Sequence, residues 1–267
     1  MLLRELSGKN VGVCVSGGLS SLTVAAWLVQ AGVPATAFVA DLGQAGHDDI
    51  SALAKSLEAA GVATVVVDLR DDIAQLALDL VRYQATYDGG YWNTTSGSRM
   101  VLVAGLASAM RRAGCTVLAH GCVGGGNDQR RFERYTAALA PDMRVISPWT
   151  DPDLLRQFPG RGDMARYVSD LGLATDRRCT VDYSVDGSLA GFAHDGTDLE
   201  SLQTSDAVAW RALSVAPRQA NDEVESVTVT VDHGRPAESF MKHQDWTCWD
   251  SAFPGSIRWP WIMMACG

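Results

Sequence analysis

The first residues that could do chemistry form a short loop rich in glycine and hydroxyl groups, Ser16-Gly17-Gly18-Leu19-Ser20-Ser21. The loop follows a β-rich apolar run at 11–15 and precedes a helical pattern at 21–30. Glycine lets an anion approach the backbone, hydroxyl groups add donors, and a helix N-terminus supplies free N–H groups. The loop therefore predicts a pyrophosphate cradle. A glycine-rich turn in which Ser20 or Ser21 is the N-cap is the alternative interpretation.

A second block, residues 120–132, reads His-Gly-Cys-Val-Gly-Gly-Gly-Asn-Asp-Gln-Arg-Arg-Phe and also lies between a predicted strand and a predicted helix. The carboxylate of Asp128 suits an α-ammonium group, and the fork of Arg131 suits a carboxylate. The alternative is that Asp128 is only an N-cap and Arg131 a solvated helix residue.

Two further stretches are candidates for a substrate wall. The first runs from Tyr87-Asp88-Gly89-Gly90-Tyr91 through Thr95 and Ser96 to Arg99, and on its own it also reads as a glycine-rich loop before a helix. The second is Tyr183-Ser184-Val185-Asp186, where an exposed loop serine is the alternative.

The elements that would position these residues alternate between short apolar runs and amphipathic helical patterns. Strands are predicted at 11–15, 35–40, 64–69, 115–119 and 144–147, and helices at 21–30, 48–60, 72–83 and 98–113. This alternation is typical of βαβ units, so we expect an α/β fold with a doubly wound parallel sheet. Ligands then bind beyond the carboxyl ends of the strands.

After residue 150 the alternation weakens, which predicts a second, smaller α+β portion. A helix is expected at 163–171, and a strand at 227–231 that enters a turn at His233-Gly234. We divide the chain into a nucleotide-binding domain at 1–165 and a substrate region at 166–267. The latter ends in a segment, 241–267, with four of the eight tryptophans.

Composition limits the function classes. The formal net charge of −9 over 267 residues argues against nucleic acid or an anionic membrane surface as a partner. Six cysteines without a CxxC pair predict neither a zinc knuckle nor a redox dithiol. The first residues are too short for a signal segment and no apolar run approaches about 18 residues, so we expect a cytoplasmic protein.

On these motifs the sequence resembles the argininosuccinate synthase family, one of the ATP pyrophosphatase families with an SGGxD[ST] loop, from about residue 10 to 200. The resemblance implies an adenine nucleotide alpha hydrolase-like fold. It also implies an AMP-forming carbon–nitrogen ligase that uses ATP and Mg²⁺, acts on amino acids as small-molecule substrates and can form a homo-oligomer. No protein metal-ligand set is expected.

The resemblance also assigns roles to individual residues. It implies nucleotide contacts at Ser16, Gly17, Gly18, Ser20, Ser21, Ala40 and Gly121. It implies substrate contacts at Tyr87, Ser96, Arg99, Asn127, Asp128, Arg131 and Ser184, with Asp128 and Arg131 as the catalytic candidates.

Four positions depart from the family pattern. Ser20 replaces an aspartate that can help hold Mg²⁺ or its waters, and three changes affect the substrate side: Val123 replaces a threonine, Gly125 a lysine and Ala193 a serine. The family also has a longer C-terminal region, and we find no counterpart of it after Gly234.

These changes leave two main hypotheses open: a ligase for this or another amino-acid pair, and a degenerate nucleotide-binding homologue. A tRNA sulfur-transfer enzyme is a third, but it would need a cysteine pair and a basic face.

Overall fold

The computed structural model describes residues 2–44, 50–173, 183–196, 199, 201–204 and 227–241. In chain order its elements are α1 (Leu2–Glu5), β1 (Val11–Val15), α2 (Leu19–Gln30), β2 (Ala35–Asp41), α3 (Ile50–Ala59), β3 (Ala63–Asp68), α4 (Arg70–Arg82), β4 (Thr86–Tyr87), β5 (Tyr91–Trp92), α5 (Thr94–Arg112), β6 (Val117–His120), α6 (Asn127–Leu139), β7 (Arg144–Ile146), a 3-10 turn (Pro148–Thr150), α7 (Pro152–Gln157), α8 (Arg161–Asp170), β8 (Tyr183–Ser188), β9 (Gly191–Gly196), β10 (Val227–Asp232) and β11 (Arg235–Met241). The tryptophan-rich segment after residue 241 and the start of the helix predicted at 48–60 lie outside the described residues.

Five strands form one parallel sheet in the order β3-β2-β1-β6-β7. The chain winds outward from β1 to β3 and then returns to the other side of β1 with β6, which pairs Cys14 with His120. The predicted doubly wound parallel sheet is confirmed. Its order changes direction between β1 and β6, and in such folds this switch point opens a crevice for ligands at the carboxyl ends of the strands.

Helices cover both faces of this sheet because each presents an apolar stripe to it. On one face α2 buries Leu22 and Leu28 against Val168 of α8. On the other face α4 and α5 pack Ile73 and Leu106 around the strands. Each fully buried leucine or isoleucine contributes about 1.5–3 kcal/mol to the free energy of unfolding. The two apolar clusters therefore hold the loops that follow β1 and β6 in place.

Helix α5 begins at Thr94, four residues before the start predicted from the sequence. The amide of Gly97 donates to the carbonyl of Asn93, which closes an additional first turn. A Cβ on Gly97 would come within 2.8 Å of the Leu76 side chain, so this turn lies directly against α4. The contact is tertiary, and it places Ser96 in a helix instead of the expected loop.

Two antiparallel hairpins lie in the described residues of the C-terminal portion. Strands β8 and β9 pair with each other, as do β10 and β11. The strand predicted at 227–231 is confirmed within β10, and the turn after it has positive φ at His233 and Gly234 (50° and 74°), as a two-residue hairpin requires. Among the described helices, none has the length and apolar character needed to cross a membrane.

Candidate functional site

A cavity of about 620 Å³ opens at the carboxyl ends of β1, β2 and β6. Its size lies in the range of small-molecule sites. The wall includes the loop after β1, the end of β2, the loop after β6, the first turn of α6, and residues of α5, β8 and β9. The cavity therefore occupies the predicted crevice and joins segments that are far apart in the sequence.

The loop after β1 is held in shape by its own hydroxyl groups. The Ser21 hydroxyl donates to the Gly18 carbonyl at 2.9 Å and accepts from the Ser16 amide at 3.2 Å. Gly17 has φ 82°, a left-handed conformation that glycine adopts without steric cost. Helix α2 begins at Leu19 with Gly18 as N-cap and no side-chain cap. The interpretation of Ser20 or Ser21 as the N-cap is therefore wrong, and the first amides of α2 are not covered by a side chain.

The loop after β6 approaches α2 so closely that only glycine fits at position 121. A Cβ there would lie 2.4 Å from the Ser21 Cα atom, which is a backbone contact that cannot relax cheaply. The two glycine-containing loops are thus packed together at the switch point of the sheet.

Four charged side chains form a connected network in the cavity wall. Arg99 of α5 donates to Asp128 Oδ2 at 2.9 Å and 3.2 Å, and to both carboxylate oxygens of Asp186 at 2.9 Å and 3.1 Å. Arg131 donates to Asp128 Oδ1 at 2.6 Å. The network ties α5, α6 and β8 together, and its formal charges cancel.

Partial burial makes these charges depend on each other. Burial raises the pKa of Asp128, but Arg99 and Arg131 outweigh burial and hold that pKa below its usual value. Burial likewise opposes the charge of Arg99, and Asp186 and Asp128 together raise the pKa of its guanidinium above the ordinary value. Both groups are therefore charged near neutral pH.

A match to a protein-family model fits this geometry. Residues 10–166 match the model described as "Arginosuccinate synthase N-terminal HUP domain". The chain belongs to the argininosuccinate synthase family. It is 32% identical over 236 residues to the argininosuccinate synthase of Shewanella denitrificans and 31% identical over 234 residues to that of Saccharomyces cerevisiae. Each comparison covers 87% of this chain but only 57% and 56% of the relative, so the chain spans a little over half the length of these synthases.

Most of the residues singled out by the resemblance to argininosuccinate synthases meet in the cavity. Its wall includes Ser16, Gly18, Ser20, Ser21, Ala40, Arg99, Gly121, Asn127, Asp128 and Arg131. Gly17 lies in the loop between two of these residues. Ser184 lies in β8 opposite Asp195, and its side chain is outside the described part of the chain.

Tyr87 and Ser96 are not in the described wall. Ser96 instead shares a 2.8 Å hydrogen bond with the hydroxyl of Tyr135. The tyrosine in the wall is Tyr91, whose ring packs against Tyr87 with centroids 5.1 Å apart. The sequence motif contains both tyrosines, and only the hairpin formed by β4 and β5 decides which one faces the cavity.

Other wall residues had no role assigned from the sequence. They include Gln44, Arg161, His194 and Asp195. Thr95 and Asp186 lie in the two stretches expected to form a substrate wall, but no role was assigned to either residue. Asp186 stands in the Tyr183-Ser184-Val185-Asp186 stretch, so its acidic side chain could have marked it as a candidate site residue. Arg161 follows the Pro159-Gly160 pair at the start of α8, and nothing in its local pattern points to the β1 loop.

Three of the family departures also lie in the wall: Ser20, Val123 and Ala193. Val123 is 49% exposed and presents an apolar surface to the cavity. Gly125 has φ 53°, so its backbone is already in the left-handed region. A lysine at this position would strain that conformation.

His120 is a buried member of the wall, only 1% exposed. Its Nδ1 atom accepts from the Cys122 amide at 3.3 Å, so the neutral ring carries its proton on Nε2, which has no partner in the described structure. The ring stacks on Phe132 with centroids 4.6 Å apart. Burial lowers the pKa of His120 to about 4, with a smaller opposing effect from Asp128.

This histidine is expected to make stability fall in mild acid. The unfolded chain binds a proton at His120 below about pH 6.5, and the folded chain only near pH 4. The contribution of His120 to the free energy of unfolding is thus fully present above pH 6.5. It decreases as the pH falls to 4, by on the order of 2–3 kcal/mol. Urea unfolding at pH 7 and pH 4.5 should show a smaller loss in His120→Gln than in the parent. The exposed His233→Gln should behave like the parent; an unchanged pH dependence in His120→Gln would contradict the assignment.

The two thiols in the wall, Cys14 and Cys122, are not poised as nucleophiles. Burial raises the pKa of Cys122 to about 12. Burial and the nearby Cys122 also raise the pKa of Cys14. The thiolate is the reactive form of cysteine, so chemistry at this site does not start from these groups at neutral pH.

Proposed function

We propose that this protein is an ATP-dependent carbon–nitrogen ligase of the argininosuccinate synthase type. It adenylates a ureido or carboxyl oxygen of one amino-acid substrate, releases pyrophosphate, and joins the activated carbon to an amine such as that of aspartate. The observation that carries this proposal is that the glycine-rich loop before α2 and the charged network of Arg99, Asp128, Arg131 and Asp186 line one cavity.

The reaction needs two displacements. The substrate oxygen attacks the α-phosphorus of ATP, the bond from that phosphorus to the β-phosphate oxygen breaks, and its electron pair leaves with pyrophosphate. The amine nitrogen then attacks the adenylated carbon, the bond from carbon to the AMP oxygen breaks, and the nitrogen loses a proton. The protein's contribution is positioning and charge stabilisation, so a protein nucleophile is not required. The protonated state of Cys14 and Cys122 agrees with this mechanism.

The wall residues have suitable chemistry for each part. In this proposal the first amides of α2 and the Ser16 hydroxyl bind the phosphates, as a helix N-terminus can bind an anion. The Ser21 hydroxyl, which donates to the Gly18 carbonyl, holds the loop in the shape that exposes these donors. Asp128 offers a carboxylate to an ammonium group. Arg131 uses only one nitrogen on Asp128, so its fork retains donors for a substrate carboxylate. Tyr91 replaces Tyr87 as the proposed aromatic contact on the amino-acid side.

A protein-held Mg²⁺ does not fit these residues. The β1 loop offers hydroxyls and no carboxylate, and among the described residues no group of three or more His, Cys, Asp or Glu side chains could hold a metal ion. We therefore propose that Mg²⁺ comes with ATP as the counter-ion of its phosphates. No step is assigned to a protein-bound metal.

Several broader features belong to the same proposal. The extent of the family model, residues 10–166, supports the division into a nucleotide-binding domain at 1–165 and a substrate region at 166–267. The net charge of −9 supports small-molecule partners over nucleic acid or a membrane. A cytoplasmic location and a homo-oligomeric state are expected by analogy with biosynthetic relatives.

A degenerate nucleotide-binding homologue is the second candidate. The observation in its favour is that Ser20 and Val123 stand in the cavity wall where the family has an aspartate and a threonine. The intact Arg99–Asp128–Asp186 network favours the ligase, because a protein that only binds ATP has little use for an amino-acid subsite.

One assay distinguishes these functions. The chain is incubated with ATP, Mg²⁺ and each member of a panel of ureido and carboxyl amino acids, with aspartate or another amine as acceptor. We expect AMP and pyrophosphate in equal amounts with at least one pair, and ATP–pyrophosphate exchange with the first substrate alone. ADP and phosphate as stoichiometric products would contradict the ligase. ATP binding without exchange across the panel would identify the degenerate homologue.

A further inference from the structure

An apolar surface lies in the cavity wall just before α6. Val123, in the loop between β6 and α6, lines the cavity with 49% of its surface exposed. The three residues that follow it are glycines, so residues 123–126 present no polar side chain to a ligand. Apolar surface in a ligand pocket holds the apolar part of the ligand. The loop that leads into α6 is therefore suited to a hydrocarbon group.

A second apolar side chain lies beside the charged network, on the hairpin formed by β8 and β9. Ala193 is the cross-strand partner of Asp186, and both residues line the cavity. Partners in an antiparallel pair point to the same face, with Cβ atoms about 4.5–5.5 Å apart. Because Asp186 binds Arg99, the methyl group of Ala193 lies next to that ion pair. Val123 and Ala193 both carry methyl groups where the family pattern has hydroxyl groups, so the polarity changes while the shape is nearly kept.

The network itself has the capacity to hold the charged groups of an α-amino acid. Asp128 accepts two hydrogen bonds from Arg99 and one from Arg131, and a carboxylate can accept about four. One site thus remains for an ammonium N–H, and Arg131 retains donors for a carboxylate. The two arginines and two aspartates of the network cancel in formal charge. Such a network matches a zwitterion of zero net charge better than it matches a dicarboxylate.

We infer that the amine acceptor is an α-amino acid with an uncharged aliphatic side chain of about the size of leucine, which packs against Val123. This inference rests on the proposed function and specifies the class of its acceptor. Arg131 lies one turn along α6 from Asp128, whereas the loop with Val123 leads into the start of that helix. An ammonium group on Asp128 and a carboxylate on Arg131 therefore leave the side chain toward the loop. A side-chain carboxylate there would lose water beside methyl groups, which is unfavourable.

Calorimetric titration of the full chain with leucine, asparagine and aspartate tests this class. The three side chains branch at the same carbon and differ in polarity and charge. With α,β-methylene ATP and Mg²⁺ present, we expect leucine to bind about 10-fold or more tightly than aspartate, with asparagine between them. N-acetyl-leucine lacks the ammonium group and leucinamide lacks the carboxylate. Each should bind about 10-fold or more weakly than leucine, because a charge-assisted hydrogen bond is lost.

A variant with one added hydroxyl group tests the contact with Val123. Val123→Thr keeps the shape of the side chain, and we expect it to lower the ratio of leucine affinity to aspartate affinity by about 3- to 10-fold. The matched control is Val66→Thr in β3. Val66 is similarly exposed, at 46%, but it is not part of the described wall, so the ratio should stay as in the parent. Thermal unfolding checks that both variants fold. If Val123→Thr does not fold, Val123→Ala, which removes most of the apolar contact, decides in the same way.

The possible results separate this inference from the proposed function. Aspartate that binds the parent as tightly as leucine overturns the inference and leaves the ligase proposal intact. An unchanged affinity ratio in a folded Val123→Thr shows that the side chain does not pack on Val123, and also overturns it. Equal affinities for leucine, N-acetyl-leucine and leucinamide would overturn the assignment to Asp128 and Arg131. A parent chain that binds the ATP analogue but none of the amino acids refutes the proposed function itself.

Discussion

Replacement of Gly18 by valine is expected to lower the affinity for ATP by roughly 100-fold or more while the fold remains intact. Gly18 has φ −72° and ψ 151°, a conformation that any residue can adopt. A Cβ there would meet only the rotatable Ser16 hydroxyl, at 3.3 Å. The remaining valine atoms would occupy the space before the first turn of α2, where a phosphate has to lie to reach the amides. Several charge-assisted hydrogen bonds of about 1.5–3 kcal/mol each would then be lost.

Gly17→Ala provides the contrasting variant. Because Gly17 has φ 82°, alanine there should destabilise the fold by about 1–2 kcal/mol. Calorimetry with ATP and urea unfolding should therefore separate the two glycines: one variant loses the ligand at full stability, and the other loses stability. Parent-like ATP affinity in a folded Gly18→Val would show that the phosphates do not bind on this loop.

The sheet and the position of the glycine-rich loop after β1 were predictable because their signals are local. The run at 11–15 alternates with helical patterns, and βαβ crossovers then leave few possible strand orders. The loop between β1 and α2 has its chemistry in six consecutive residues. The position of Gly121 at the end of a strand was predictable for a similar reason, since it follows the buried strand β6 directly.

The charge network could not be predicted, because it depends on contacts between distant parts of the chain. Arg99 and Asp186 are separated by 87 positions. The sequence of an arginine's neighbours does not show which distant carboxylate that arginine will bind. The presence of Tyr91 instead of Tyr87 in the cavity wall depends in the same way on the β4–β5 hairpin, and the start of α5 depends on the contact with Leu76. In each case the local pattern fits two conformations, and a tertiary contact selects one of them.

Gly125 shows how the structure refines a sequence difference. In the sequence, Gly125 stands where the family pattern has a lysine. The left-handed φ values of 59° at Gly124 and 53° at Gly125 show that the loop conformation itself depends on glycine. A lysine restored at 125 would therefore carry backbone strain of about 1–2 kcal/mol in addition to its charge. The replacement of lysine by glycine at position 125 therefore changes the conformation of the loop as well as the side chain.

Substitution of Arg99 by methionine is expected to reduce the free energy of unfolding by about 2–4 kcal/mol at neutral pH. The Arg99 side chain is only 14% exposed, and it is the group that links Asp128 to Asp186. Methionine keeps much of the side-chain volume but leaves the two carboxylates with less compensation, and breaking a buried pair from one side costs a few kcal/mol. Arg111→Met is the matched control in the same helix. Its pair with Asp142 is exposed, so its loss should cost at most about 1 kcal/mol.

The pH dependence of this loss separates charge from packing. In the parent, the arginines hold the pKa of Asp128 below its usual value, so its stabilising contribution is present above about pH 3.9 and is lost as the pH falls further. Without Arg99, burial raises the pKa of Asp128 against the remaining Arg131, and mild acid can neutralise the carboxylate. Urea unfolding should therefore show the largest difference between parent and Arg99→Met at pH 7 and a smaller one near pH 4.5. An equal difference at both values would mean that Arg99 stabilises the fold through packing alone, and that the charges of α5, α6 and β8 do not act as one network.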